Sequence, residues 1–228
     1  MTTPRASRPI PLALTALVAF FSALVALAVT NGHDAHAHGT EPHAAISQSE
    51  LELRGDMRRL WEDHIVWTRL AVISLTTGTP DTEATVARLL RNQTDIGNAV
   101  KPFYGRAAGN ELTRQLKQHI LIAADVIAAA KAGDAATLAE ASARWQRNAD
   151  GIAAVLGGLN PRHFEPAVLR SEMRKHLKLT TAEVVARLQG KWSADVAAYD
   201  AIHRHILHMS DYLSAGLVKQ FPKRFAAG

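Results

Sequence analysis

Cysteine is absent from the 228 residues. Its absence excludes disulfides, thiolate metal sites and cysteine nucleophiles, and fits either redox compartment. Aromatic residues make up only 6% of the chain, and no basic run is interleaved with them. Nothing therefore builds a nucleic-acid groove, and no nucleic-acid partner is expected. The formal charge of +5 is modest and spread out. No stretch alternates apolar and polar residues for long enough to form a strand, which excludes a sheet. HExxH, GxSxG, a phosphate loop and CxxCH are all missing, so the usual signatures of zinc proteases, serine hydrolases, nucleotide binding and covalent haem do not apply. A non-catalytic role is expected ahead of the remaining alternative, an enzyme that uses its histidines as acid or base.

Hydrophobic residues make up 47% of the chain, enough for a sizeable core. The N-terminus carries Arg5 and Arg8 and no acid, followed by "IPLALTALVAFFSALVALAVT" at 10–30. About 20 apolar residues can span a bilayer as a helix. Small-x-small cleavage signals stand at 26–28 and 35–37. Residues 1–30 thus read as a signal peptide or a signal anchor, with membrane contact through 10–30 if uncleaved. Both alternatives place the rest of the chain outside the cytoplasm, in the periplasm or at the cell surface.

Residues 31–48 are polar, with Gly32, Gly39 and Pro42 against regular structure, and read as a flexible linker. The linker holds His33, His36, His38 and His43, a spacing typical of loose divalent-metal chelation, or of a solvated spacer.

Residues 49–228 read as one helical-bundle domain. Period-3.6 faces recur between breakers and predict an all-α, up-down bundle of about six helices: 48–77, 80–100, 111–131, 135–158, 166–189 and 193–220. Thr79 is expected to cap the second helix and Asn110 the third, with "KPFYGRAAGN" as the loop between them. The chain also resembles itself under shifts of 55 and 57 residues, which points to three αα-hairpin repeats.

Helical arithmetic then gathers one polar layer. Residues equidistant from a hairpin turn sit at one height. His64 and Gln93 are equidistant from the Gly78–Thr79 turn, His119 and Asn148 from Gly133–Asp134, and His176 and His205 from Gly190–Lys191. Each lies about 22 Å from its turn at 1.5 Å per residue. His64 continues the apolar face of Met57 and Trp61, His119 that of Leu112 and Leu116, and His176 that of Leu169 and Met173. In "HRHILHMSD" (203–211), His205 is the inward histidine, His203 points out and His208 sits at a flank with Asp211 as its expected acceptor. Trp61, Trp67, Trp145 and Trp192 are expected to pack.

Neutral imidazoles suit copper, zinc, nickel or iron. His64, His119, His176 and His205 are therefore candidate ligands for a transition metal, with copper or zinc the first choices. The competing reading is a structural or interaction module of the envelope. In that reading Gln93 and Asn148 satisfy the histidines, and the layer only sets helix register. A ferritin-like di-iron site is excluded, because Trp61, Leu116, Met173 and Ile202 stand where its glutamates belong.

"LWEDHIVWTR", "LLRNQTDIGNAVKPFYG", "LKQHILIAAD" and "QFPKRF" resemble the motifs of a family of uncharacterised exported bacterial all-helical proteins. The resemblance covers about residues 50–225. It implies an exported helical domain and carries no activity or binding residues.

Overall fold

The structure, a computed structural model, describes residues 46–226. The signal segment and the four linker histidines His33, His36, His38 and His43 lie outside the described residues. Among the described residues there are five α-helices, one short 3-10 turn and no strand: α1 (Gln48–Thr77), α2 (Thr82–Ala132), α3 (Ala135–Leu159), α4 (Pro166–Leu188), α5 (Trp192–Gln220) and the turn Pro222–Arg224. No helix among them is long and apolar enough to cross a membrane.

Local chemistry sets most boundaries. Ser47 caps α1 by accepting from the Glu50 amide at 3.2 Å, satisfying one of the orphan N–H groups of the first turn. Gly78, Gly133 and Gly190 end helices with φ near +70°, a conformation that costs glycine little. Asp134 starts α3 by accepting from the Thr137 amide at 3.0 Å. Pro166 opens α4, where a missing N–H is harmless.

Two expectations change here. Thr79 is not the cap of α2; its hydroxyl bonds Asp81, which holds that position. The loop expected at "KPFYGRAAGN" is also absent. Residues 82–132 form one continuous element, but it consists of two helices joined across a kink, where the expected second and third helices meet. The chain turns instead at one residue, Gly105 (φ 83°, ψ 171°), within α2. In an unbroken helix Gly97 and Gly109 would be about 18 Å apart. Here a Cβ built on Gly97 would stand 2.6 Å from Gly109 O, and one on Gly109 would stand 2.5 Å from Gly97 O. The two halves of α2 therefore fold back on each other, with glycine on both sides of the contact.

The bundle closes as a ring. α1 packs on α2, α2 on α3, α3 on α4, α4 on α5 and α5 back on α1. Ile65, Ala141, Ala149 and Ile202 are fully buried in the main core. Burying a Leu- or Ile-sized side chain contributes roughly 1.5–3 kcal/mol. Closure brings α1 and α4 into contact across the middle, which is what assembles the polar layer.

Candidate functional site

All four expected layer histidines are buried, at 3–4% exposure, as are Gln93 and Asn148. Their separations repeat the hairpin arithmetic. His64 faces Gln93 and His119 faces Asn148, each 29 residues on. His176 lies beside His205 at the same separation, with ring centroids 6.2 Å apart. His176 is the hub. Its ring centroid is also 6.0 Å from that of His64 and 5.8 Å from that of His119.

The hydrogen bonds decide which ring nitrogens carry protons. Asn148 donates its amide to the Gln115 carbonyl at 3.1 Å, which fixes its Oδ1 toward His119. His119 Nδ1 therefore donates to Asn148 Oδ1 at 2.7 Å. The bare lone pair is left on His119 Nε2, which is buried and has no hydrogen-bond partner in the protein. His205 follows the same logic. Its Nε2 donates to the Glu172 carbonyl at 3.1 Å. The lone pair then sits on His205 Nδ1, with Glu172 Oε2 3.4 Å away but not hydrogen-bonded. His176 Nδ1 is also buried without a partner.

His64 is less firmly held. The Gln93 amide nitrogen has two hydrogens and three acceptors: Leu89 O at 2.9 Å, Asn92 Oδ1 at 3.0 Å and His64 Nδ1 at 3.2 Å. One acceptor must go without, while Gln93 Oε1 has no donor at all.

Burial removes the charge from these rings. Desolvation holds His64 down to about 4, helped by the neighbouring His119. Desolvation does the same to His119, also to about 4. His176 lies well below its ordinary value, from burial first and then from the other three histidines. His205 is lowered by burial, opposed by Glu172. Neutral imidazole with one N–H anchored and one lone pair free is the form that binds a metal. Even so, among the described residues no three His, Asp or Glu side chains converge on a single metal position.

Below the layer lies an apolar cavity of about 40 Å³, which His64, His119 and His176 line from above. Trp61 packs edge-on against His64 at 5.6 Å between centroids, and Trp145 lies tilted against His119 at 5.3 Å. These two tryptophans are packing residues, as expected, whereas Trp192 is 60% exposed under the Arg187 guanidinium. His203 is half-buried and bonds Glu62 at 2.7 Å. Asp211 does not serve His208; it takes both arms of Arg58, at 2.6 and 2.8 Å.

One polar cluster has no counterpart in the sequence reading. Arg69 of α1 bonds Glu183 of α4 at 2.8 Å and holds Asp195 of α5 in a two-armed pair. Arg187 adds a second contact to Asp195 at 3.0 Å. Glu183 is fully buried and its carboxyl is raised by desolvation, with Arg69 opposing. Its signal was present: Glu183 lies seven residues after His176, on the same inward face.

No family model matches the chain, and no curated protein or solved structure is significantly similar to it.

Proposed function

We propose that this is a non-catalytic, extracytoplasmic helical-bundle protein that holds a transition metal ion through buried histidines. One observation carries the proposal. His119 is anchored through one N–H and presents an unpartnered lone-pair nitrogen inside the core, and Nδ1 of the neighbouring His176 is also buried without a partner. A layer that served packing alone gains nothing by leaving buried acceptors unmet, since each costs about 1–3 kcal/mol. Arg5, Arg8 and the apolar run at 10–30 support export or anchoring. The family resemblance supports the same address, and His33, His36, His38 and His43 fit a loose collector of divalent ions ahead of the bundle.

The second reading, an envelope module whose layer sets register, has its own support. Gln93 and Asn148 each reach a histidine. Thermal unfolding separates the two. The full chain with its four linker histidines changed to alanine is compared with the same chain carrying His119→Ala. Each is melted with a chelator and with added zinc or copper. A metal site gains about 2.7 kcal/mol at a free metal concentration one hundred times Kd, and His119→Ala loses that gain. A core that neither co-purifies with metal nor gains stability from either ion leaves only the packing role.

A further inference from the structure

Positive charge collects on one helix. Arg170, Arg174, Lys175 and Lys178 of α4 are all exposed. Spacings of four residues put them on one outer face, within about two turns. The two acids of α4 are turned away from that face. Glu183 is fully buried and held by Arg69. Glu172 is half-buried, with its carboxylate 3.4 Å from His205 Nδ1. Arg204 of the neighbouring α5 adds a further exposed cation; it adjoins His205, whose ring lies beside that of His176 on α4.

Elsewhere the bundle neutralises its cations. Every arginine of α1 is held by a carboxylate. On the α4 stripe, Arg170, Lys175 and Lys178 are in no ion pair among the described residues, and Arg174 has only an exposed contact with Asp150 at 3.5 Å. Like charges four residues apart on a helix repel and cost stability. Nothing within the bundle offsets that repulsion.

We infer that this face of α4 docks on the surface of a bilayer that carries anionic headgroups. Charge complementarity makes the partner a polyanion, and shape and composition choose among polyanions. One outer helix face is convex and offers no groove to track a strand. No Phe, Tyr or Trp lies within α4 to stack a base. A flat sheet of negative charge needs neither. Each Lys or Arg close to such a surface contributes about fivefold to binding.

Reach agrees. The inference takes from the proposed function its membrane segment at 10–30 and adds a second, separate contact. α1 and α4 run in the same direction, since each lies antiparallel to α5, and His64 and His176 share one height. Ser47 precedes His64 by about 26 Å and Arg170 precedes His176 by about 9 Å at 1.5 Å per residue. The stripe therefore begins about 17 Å above the N-terminal end of the bundle. Residues 31–45 can span up to about 50 Å. A chain already held at the bilayer makes weak contacts at high effective concentration.

The chain has no cysteine, so a single introduced thiol carries a polarity-sensitive dye to one place. Ser171→Cys puts the dye in the stripe. Ala87→Cys puts it at an exposed position on the first half of α2, which is not a ring neighbour of α4. The full chain is bound to vesicles of phosphatidylcholine, or of phosphatidylcholine mixed with phosphatidylglycerol. The expected result is a blue shift at position 171 on the mixed vesicles only, absent at position 87 and reversed by about 1 M salt. Arg170→Gln with Arg174→Gln, Lys175→Gln and Lys178→Gln should lower the docked-to-free ratio at least about a hundredfold, with helix content unchanged by circular dichroism. Arg170→Lys with Arg174→Lys keeps the charge and should dock as the wild type does; loss of docking there overturns the inference even if the glutamine variant misfolds. Equal shifts on both kinds of vesicle, equal shifts at both positions, or docking that survives the glutamines also overturns it. So does displacement from the mixed vesicles by an equal charge of single-stranded oligonucleotide, which would make the partner a nucleic acid. Loss of the chain from neutral vesicles defeats the membrane segment at 10–30, while the stripe is still judged by the shift on the mixed ones. Metal binding enters none of these readouts.

Discussion

His119 Nδ1 donates to Asn148 Oδ1 across 2.7 Å, and Asn148 is itself held by the Gln115 carbonyl at 3.1 Å. Through this chain of two bonds, a backbone carbonyl on α2 sets which nitrogen of a buried imidazole is bare. Asn148→Leu removes the anchor and frees the tautomer. Outer-shell partners of metal-bound histidine typically matter by about 10–100-fold in affinity. Calorimetric titration of Asn148→Leu should show a loss of that size with helix content unchanged. Wild-type affinity in this variant would mean that the bond has no part in binding.

Acid should unfold the metal-free protein earlier than its carboxylates alone require. The ordinary histidine value is 6.5, and folding holds His64 and His119 down to about 4. Below pH 6.5 the unfolded chain takes up protons that the folded chain refuses. Stability is therefore full above 6.5 and is lost as pH falls toward 4, by about 3 kcal/mol for each of these two histidines. His176 and His205 act in the same direction. Urea titrations from about pH 7.5 to about pH 4.5, with chelator present, measure the slope. A flat profile over that window would contradict the neutral, buried layer.

Arg69 joins α1 to α4 and α5 through Glu183 and Asp195. Arg69→Met takes the cation from buried Glu183 and leaves Asp195 with Arg187 alone, and breaking a buried pair from one side costs about 3–5 kcal/mol. Glu183, already raised by burial, should then rise further, since the Arg69 guanidinium that opposes the rise is gone. A denaturant midpoint within error of wild type would show that the cluster contributes no stability.

The fold of α2 depends on two glycines for different reasons. Gly105→Ala meets no atom within 4 Å, yet its φ of +83° and ψ of 171° belong to a region that only glycine occupies readily. The expected loss is about 1–3 kcal/mol from backbone strain. Gly97→Ala would put its Cβ 1.9 Å from Thr113 Oγ1 and 2.6 Å from Gly109 O. The backbones must separate, at a cost of about 1–3 kcal/mol or more. Gly97→Ala combined with Thr113→Ala relieves the hydroxyl clash but not the carbonyl one. Full recovery in that double variant would refute the backbone contact.

Much of the bundle was legible along the chain. The 3.6-residue period marked every helix, and Gly133–Asp134 and Gly190 marked turns, because capping and left-handed backbone are local chemistry. Equal distance from a turn put six polar residues at one height, because rise per residue is fixed. The turn within "KPFYGRAAGN" was expected, but its narrowing to Gly105 was not, because Pro102 and Gly109 in the same stretch stay helical and only packing shows where the chain breaks. Arg69, Glu183 and Asp195 come from three helices far apart in sequence. Their meeting depends on the lateral order of helices around the ring. For the same reason no spacing could show that His176 is the hub, that Asp211 belongs to Arg58, or that Met57, Met173 and Met209 share a cavity with His64, His119 and His176. Height and phase are properties of one helix and are written in its sequence. Neighbourhood across helices is settled only when the ring closes, by which faces pack together with the least unfilled space and the fewest unmet polar groups.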